Sequence, residues 1–368
     1  MKKVRIGIIG SGGIAQGAHL PGYAACPDAE VLAVADVSES TARAAAEKFN
    51  VPNVFTDYRK MLEMPEIDAV SVCTPNFMHR DATVAALNAG KHVLVEKPMA
   101  MNAKECDAML KAAHTNGKKL QVGFNNRFGA GSQALKRFVE SGDLGQVYYA
   151  RAQALRRRGI PGWGVFTQKD KQGGGPLIDI GVHILDLTLW LMGHPRPVSV
   201  SGVARQDFGR RKDILGLMGQ WDTENFTVED FAVGFVRFEN GATLHLESSF
   251  VANIENDVFN TQLFGTEGGC TLDPCRMFFE EHRTLVNVSP VHLRDVNTHR
   301  EEMRAFVAAV KNDTPVYVTG EQAAMVTRII DGIYKSSESG KEVKIETPAE
   351  PVPAAELATT IVKKKKKK

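Results

Sequence analysis

The amino-acid sequence predicts an α/β protein of two domains: a doubly wound parallel sheet, followed by an α+β domain with a large open, mainly antiparallel sheet. The 368 residues exceed the size at which a single hydrophobic core stops growing. Over residues 1–123, short apolar runs alternate with amphipathic stretches, as in a parallel sheet wound with helices. From about residue 145, longer strand-like runs follow with few helices between them. We therefore expect domains at residues 1–123 and 124–347.

The first domain is predicted to alternate five short strands with helices. The strands are expected at residues 4–9, 31–35, 69–73, 92–95 and 120–124, and the helices at residues 40–49, 77–89 and 103–116. Two of these helices end beside a glycine, Gly90 and Gly117, and glycine is typical of helix C-termini.

The second domain is predicted to contain five longer strands and three helices. The strands are expected at residues 147–155, 198–204, 231–238, 242–250 and 258–264, and the helices at residues 177–192, 301–311 and 321–337. Between two of these strands, Asn240 and Gly241 can supply the positive φ angles of a tight hairpin. Residues 348–368 are rich in Pro, Ala and Thr and end in six lysines, so we expect a disordered tail.

Composition and charge favour a soluble, cytoplasmic protein without nucleic-acid or membrane partners. Without the six lysines at residues 363–368, the 45 basic residues fall to 39, against 43 acidic residues, so no basic footprint for nucleic acid is present. The sequence contains no run of 18 uncharged apolar residues, so we expect no transmembrane helix. The N-terminal apolar run is too short for a signal peptide. The five cysteines include no CxxC pair, so we expect reduced thiols and no metal site.

A glycine-rich turn predicts a Rossmann dinucleotide site. The pattern G-x-G-x-x-A follows the first strand and opens a helical stretch, and the second strand ends in Asp36, a little over ~20 residues further on. Gly10 permits the tight turn, Gly12 lets the backbone approach a pyrophosphate, and Asp36 can accept ribose hydroxyls. A carboxylate there repels a 2′-phosphate, so NAD is favoured over NADP, although an ordinary glycine-rich turn is the alternative. The predicted contacts in this region are Gly10, Gly12, Gly13, Ile14 and Asp36.

Further motifs occur in order along the chain. They are Thr74-Pro75-Asn76 with His79, Glu96-Lys97-Pro98, Asn125-Asn126-Arg127-Phe128, Gly173-Gly174-Gly175, Asp179-Ile180-Gly181-Val182-His183, Glu229-Asp230-Phe231 and Asn240-Gly241-Ala242. The first two lie at the carboxyl ends of parallel strands, where open α/β sheets bind ligands. The ordered set resembles the glucose–fructose oxidoreductase / inositol dehydrogenase / rhizopine catabolism family, from residue 4 to about residue 345.

The resemblance implies an NAD(P)-dependent dehydrogenase whose catalytic lysine, aspartate and histidine fall on Lys97, Asp179 and His183. From the residues alone, Asp179 and His183 share one face of an apolar helix, and a hydrogen bond between them or a helix cap is an equal alternative. Lys97 alone could be an exposed charge, although Pro98 restricts it to extended conformations. With the family pattern, we assign His183 as general acid/base, Lys97 as the group that stabilises the alkoxide, and Asp179 as the residue that orients the imidazole.

Other candidates surround these three by resemblance. We expect cofactor contacts from Thr74, Pro75, Asn76, His79, Glu96, Lys97, Asn125 and Trp163, and substrate contacts from Lys97, Arg127, Arg156, Asp179 and His183. Trp163 lies between two glycines and could equally be a loop anchor. Arg156 begins a basic cluster that could bind a carboxylate or phosphate of the substrate, but such clusters are commonly solvated.

The predicted function is oxidation of a secondary hydroxyl of a sugar, sugar derivative or cyclitol by NAD. Two alternatives stay open: a glycosidase that uses transient oxidation by bound NAD, and a non-catalytic nucleotide-sensing regulator. An intact Lys97, Asp179 and His183 set argues against the regulator, which would need none of the three. An open sheet face with few helices to cover it predicts a homodimer or homotetramer.

Overall fold

The computed structural model describes residues 3–346, so the tail predicted at residues 348–368 lies outside the described residues. The first sheet has six parallel strands in the order β3-β2-β1-β4-β5-β6. They are β1 (Val4–Ile9), β2 (Ala29–Ala35), β3 (Asn53–Phe55), β4 (Ala69–Val72), β5 (His92–Glu96) and β6 (Leu120–Gly123). The predicted doubly wound sheet is confirmed, with β3 as an unpredicted edge strand. Strand order reverses between β1 and β4, and a ligand crevice forms at the carboxyl ends beside such a reversal.

Apolar residues on both faces of this sheet enter two separate hydrophobic cores. Ile8 packs with one core and its neighbour Ile9 with the other, because successive side chains of a strand point to opposite faces. Five helices follow the strands: α1 (Leu20–Ala24), α2 (Glu39–Phe49), α3 (Tyr58–Leu62), α4 (His79–Asn88) and α5 (Ala103–Asn116). The predicted C-terminal glycine of α5 is confirmed: Gly117 has a left-handed φ of 58°.

The second sheet is mixed and mainly antiparallel, as predicted. Its nine strands are β7 (Val147–Leu155), β8 (Pro197–Arg205), β9 (Phe231–Phe238), β10 (Thr243–Ser249), β11 (Val258–Gly265), β12 (Gly268–Thr271), β13 (Arg276–Glu281), β14 (Thr284–Val288) and β15 (Val343–Lys344). Their order is β14-β13-β12-β11-β7-β10-β9-β8-β15, and β7 and β10 are the parallel pair. The five predicted strands are all present, whereas β12 to β15 were not predicted.

Five helices accompany the second sheet. They are α6 (Ala130–Glu140), α7 (Lys169–Gln172), α8 (Val182–Leu191), α9 (Thr298–Asn312) and α10 (Gly320–Ser339). The apolar helices α8 and α10 pack on one face of the sheet, where Ala152, Leu246 and Val236 are buried. The helical stretch Lys169–Leu191 is long and apolar enough to cross a membrane by composition, but 83% of its most apolar window is buried inside the protein, as in a core helix.

Two features differ from the sequence prediction. The tight hairpin predicted between β9 and β10 is present, but Gly241 alone has a positive φ in the turn (84°). Asn240 instead accepts a hydrogen bond from the Ala242 N–H, so the positive φ expected at Asn240 is wrong. Helix α9 returns to the first sheet, where Met303 and Phe306 are buried in the same core as Ile8. A segment that we expected in the second domain therefore forms part of the first core.

Candidate active site

The glycine-rich turn after β1 has the shape that a dinucleotide requires. Gly10 has a φ of 85°, and a Cβ there would lie 2.8 Å from the carbonyl carbon of Cys73. A Cβ on Gly12 or Gly13 would meet nothing within 4 Å, so the backbone of the turn is open to an approaching ligand. A helix begins directly after the turn, and its free N–H groups and dipole favour an anion. These residues fit the pyrophosphate of NAD.

Asp36 lies at the end of β2 beside this turn. One of its carboxylate oxygens accepts the Ser11 N–H at 2.8 Å, and the other accepts the Ser38 N–H at 2.9 Å. A cavity adjoins the carboxylate and is lined by residues that include Gly10, Gly12, Val37, Tyr58, Thr74, Pro75 and Met78. Arg43 pairs with Glu39 on the exposed face of α2 at 2.6 Å. The carboxylate is thus placed to meet a ribose, and the nearby arginine is already paired.

The Thr74-Pro75-Asn76 turn continues the same edge of the sheet, but His79 lies beneath it. The His79 ring is fully buried, with Nδ1 2.7 Å from the Pro98 carbonyl oxygen and Nε2 2.9 Å from the Thr74 carbonyl oxygen. Asn76 donates a hydrogen bond across the cleft to the Gln172 carbonyl at 3.0 Å. The predicted cofactor contact of His79 is therefore corrected: its ring joins two loops, and burial lowers its pKa.

Lys97 and Asp179 meet between the two sheets. Lys97 follows β5, and Asp179 lies in a π-helical turn (Leu177–Gly181) that leads into α8. The Lys97 ammonium donates to a carboxylate oxygen of Asp179 and to its backbone carbonyl, both at 3.0 Å. The two side chains are only 19% and 12% exposed, so the ion pair is largely shielded from bulk water but still open to the cleft.

His183 stands at the start of α8, four residues after Asp179. Its ring meets Phe124 edge-on at 6.3 Å, and its Nδ1 is buried without a hydrogen-bond partner among the described residues. Burial first, and then the charge of Lys97, lower the pKa of His183 to about 3, so the ring is neutral at physiological pH. The alternative of an Asp179–His183 hydrogen bond is not found in this part of the chain. The π-helical turn widens the helix there, and the Asp179 carboxylate is bonded to Lys97 instead.

The Glu96 side chain is buried beside the backbone of Lys97. Its two carboxylate oxygens accept from the His19 ring at 2.8 Å and from the Lys97 N–H at 3.1 Å. A carboxylate oxygen of Glu96, a ring nitrogen of His299 and a carboxylate oxygen of Glu302 lie within 4.8 Å of one another. The Glu96 carboxylate is therefore buried behind Lys97, and the predicted cofactor contact of Glu96 stays a prediction.

The sequence analysis missed His19, His299 and Glu302. His19 lies two helical turns after Gly12, and His299 and Glu302 have the i, i+3 spacing of one helix face. Both are weak signals, because polar residues at such positions are common on exposed helices. Asn125, a predicted cofactor contact, donates to the Thr298 hydroxyl at 2.9 Å and lies 3.3 Å from the His299 ring. It lies at the border between this buried group and the cleft.

The structure does not bring the other predicted substrate residues to Lys97. Arg127 is fully buried and forms a two-pronged ion pair with Asp186, at 2.8 and 2.6 Å, so its predicted substrate role is corrected to a structural one. Arg156 donates to the Gly159 carbonyl at 3.1 Å and lies over the Phe250 ring. Trp163 is 54% exposed and packs edge-on against Phe166, so it belongs to an exposed loop.

The chain matches two family models. Residues 4–124 match the oxidoreductase family, NAD-binding Rossmann fold, and residues 136–345 match the oxidoreductase family, C-terminal alpha/beta domain. D-glucoside 3-dehydrogenase of Escherichia coli (strain K12) is 38% identical over 93% of this chain and 97% of its own length. Myo-inositol 2-dehydrogenase of Thermotoga maritima is 27% identical over 93% of this chain and 99% of its own length.

Solved structures share the whole fold. An oxidoreductase domain protein from Kribbella flavida has a TM-score of 0.83 at 27% identity, covering 94% of this chain and 100% of its own. Levoglucosan dehydrogenase in complex with NADH and levoglucosan has the same TM-score and coverage at 24% identity, a likeness that concerns the fold. The similarity thus extends across both sheets and the cleft between them.

Proposed function

The chain belongs to the glucose–fructose oxidoreductase / inositol dehydrogenase / rhizopine catabolism family of oxidoreductases, and from this premise we propose that it oxidises a secondary hydroxyl of a glucoside with NAD. The observation that carries the proposal is the Lys97–Asp179 ion pair beside the neutral ring of His183. A relative of 38% identity named as a D-glucoside 3-dehydrogenase supports a glucoside as the substrate class.

NAD would be held along the carboxyl edge of the first sheet. Gly10, Gly12 and Gly13 would face its pyrophosphate, and Asp36 its adenosine ribose. When bound, NAD supplies the acceptor for the hydride that leaves the hydroxyl-bearing carbon. The remaining steps fall to side chains of this chain: binding the sugar, orienting its hydroxyl and removing the hydroxyl proton.

Three side chains divide the proton chemistry in this proposal. The Lys97 ammonium donates to the substrate oxygen and stabilises the negative charge that develops there. A free nitrogen of the neutral His183 ring then accepts the hydroxyl proton, which the lysine makes easier to remove. Asp179 holds the Lys97 ammonium at 3.0 Å, so we assign its positioning role to the lysine and no longer to the imidazole. The hydroxyl proton would therefore end on the His183 ring.

Two further inferences belong to this proposal. We infer that the protein works in the cytoplasm, supported by five cysteines that are all free, four of them buried. We also infer a homo-oligomer, because the second sheet carries partly exposed apolar side chains on the face away from α8 and α10, such as Val203 and Phe264.

The proposed function is tested by following NADH formation with methyl glucosides, free glucose and myo-inositol. A glucoside should give the highest kcat/KM, and the product should be a ketone at one ring carbon, identified by NMR. Absence of NADH with every sugar in the panel would overturn the proposal. Cleavage of the glycoside without net NADH would instead support the glycosidase alternative.

A further inference from the structure

A buried group of four side chains lies directly behind Lys97. We call it the His19–Glu96 cluster; its members are His19, Glu96, His299 and Glu302. His19 comes from the π-helical turn after the glycine-rich loop (Ala15–His19), Glu96 ends β5, and His299 and Glu302 lie on α9. His19 and Glu302 are fully buried, whereas the His299 side chain is 33% exposed. Four ionisable groups in one core need a physical reason.

Hydrogen bonds connect this cluster to the backbone of Lys97. The His19 ring nitrogen Nε2 lies 2.8 Å from one Glu96 oxygen, and the other Glu96 oxygen accepts the Lys97 N–H at 3.1 Å. The Lys97 side chain continues to Asp179. A chain of contacts therefore runs from His19 through a carboxylate to the residue that we assign to alkoxide stabilisation.

Charge in the cluster is concentrated on Glu96. Burial acts to raise the pKa of Glu96, but the hydrogen bond from His19 and the charges of His19 and Lys97 outweigh burial and lower it to about 2. Burial and the nearby Glu96 charge raise the pKa of Glu302 well above its usual range, which favours the neutral form of its carboxyl group. Both carboxyl oxygens of Glu302 are buried without a hydrogen-bond partner among the described residues, and the His299 ring nitrogen Nδ1 lies 3.7 Å from one of them. Such a site suits a neutral acid better than an ion.

We propose that His19 is a positioning residue for the dehydrogenase reaction, because it holds the Glu96 carboxylate that fixes the backbone of Lys97. The inference rests on the proposed function, since it needs Lys97 to act on substrate. The titratable groups that interact electrostatically with Glu96 lie on several elements. They are His19 in the π-helical turn, Lys97 at the end of β5, Cys73 after β4, His79 on α4, His183 on α8, and His299 and Glu302 on α9. Among these groups, the His19 side chain is hydrogen-bonded to the Glu96 carboxylate.

The test compares His19→Leu with His19→Gln. Leucine removes the donor, so we expect kcat to fall roughly 10- to 100-fold while the KM for NAD changes less than about threefold. Without the donor, the pKa of Glu96 rises, so kcat should decline toward low pH in a range where the wild type is flat. Glutamine places an amide N–H near the position of Nε2 and should restore most of kcat and the flat profile.

A matched control is His114→Leu, which removes the histidine of an exposed pair with Glu321 of the same 2.8 Å length. It should leave kcat and its pH profile unchanged. If His19→Leu does not fold, His19→Asn replaces it, because its shorter side chain cannot reach Glu96 and should be impaired where His19→Gln is active. If the wild type oxidises no sugar, the proposed function is wrong, and this result is distinct from any difference between the variants.

Three results would overturn the positioning role of His19. The first is a kcat and pH profile of His19→Leu within twofold of wild type. The second is equal activity of His19→Asn and His19→Gln. The third is a stoichiometric divalent ion in purified wild type, found by elemental analysis and lost in Glu302→Gln. In that case a metal, and not His19, would hold Glu96.

Discussion

The His183 ring is neutral and half-buried beside the Lys97–Asp179 pair, so its replacement tests the base directly. His183→Ala should lower kcat by roughly 10² to 10⁴, the usual contribution of a positioned general acid or base. NAD affinity should barely change, because Gly10, Gly12 and Asp36 are remote from the substituted ring in the sequence and line a different part of the cleft. Steady-state kinetics and calorimetric titration measure the two quantities. A folded variant within threefold of wild-type turnover would end the assignment.

Asp179 is bonded to Lys97, and this contact gives a second residue-scale prediction. Asp179→Asn keeps the shape of the side chain but removes the charge that holds the ammonium at 3.0 Å. We expect kcat to fall about 10- to 100-fold with little loss of thermal stability. Glu63→Gln is the control, because it neutralises the carboxylate of an exposed pair with Lys60 at 3.1 Å and should have no effect. A lower melting temperature with normal turnover would instead assign Asp179 a structural role.

Asp36 decides the choice of dinucleotide in our interpretation. Its carboxylate faces the cavity at the end of β2 and would repel a 2′-phosphate, so NAD should bind at least about tenfold more tightly than NADP. Asp36→Ala should reduce this preference to below about threefold. Glu47→Ala, which removes an exposed acid on α2 and leaves the Arg43–Glu39 pair intact, should leave the preference unchanged. Comparable dissociation constants for NAD and NADP in the wild type, measured by calorimetry, would contradict the prediction.

At the scale of elements, Arg127 joins three of them. It follows β6, and its guanidinium binds Asp186 on α8 and the side-chain oxygen of Gln322 on α10 at 2.7 Å. Arg127→Met leaves Asp186 buried without its partner, which should cost about 3–5 kcal/mol of unfolding free energy. Because neither residue faces the cleft, kcat of the folded variant should stay within about threefold of wild type.

The double variant Arg127→Met with Asp186→Leu is the matched control for that prediction. It removes both charges, so much of the stability lost in Arg127→Met should return. Urea unfolding measures the difference between the two variants. If Arg127→Met leaves the stability unchanged and raises the KM for the sugar more than tenfold, the result would support the substrate contact first predicted for Arg127.

The elements that could be predicted from the sequence are those with a strong local signal. Strands β1, β4 and β5 are apolar runs buried on both faces, and α5 carries an Asn102 cap and a terminal glycine. Strands β13 and β14 were not predicted, because much of each strand is exposed and its sequence therefore shows little hydrophobic alternation. Helix α9 was predicted, but its packing on the first sheet depends on tertiary contacts that no local pattern encodes.

The same limit applies to the candidate site. Lys97, Asp179 and His183 were assigned because their motifs occur in order in a known family. The His19–Glu96 contact joins residues 77 positions apart, and His19 belongs to none of the motifs named above. Arg127 was assigned to the substrate site by resemblance to the family, and its partner Asp186 is 59 residues away, a contact that no local pattern encodes.

At the scale of the whole molecule, the two sheets meet at the site itself. Lys97 comes from the first sheet and Asp179 from the turn that leads into the second domain, so the ion pair between them depends on the relative position of both. Helix α9 adds a second connection, since it packs on the first core and contributes Glu302 behind Lys97. The geometry of the proposed site therefore depends on how the two sheets pack together.

The open face of the second sheet predicts self-association. Helices α8 and α10 cover one face, while the opposite face carries Val203, 46% exposed, and Phe264, 37% exposed, beside the Arg151–Glu247 ion pair. Burying such a face is a common basis of symmetric oligomers, so light scattering should report two or four copies of the 40.2 kDa chain.

Phe264→Glu should lower this mass, because it places a charge among apolar side chains that the interface would bury. Val291→Glu, at a fully exposed position in the segment between β14 and α9, should not. A wild-type particle of a single chain at micromolar concentration would contradict the prediction and leave this face for another partner.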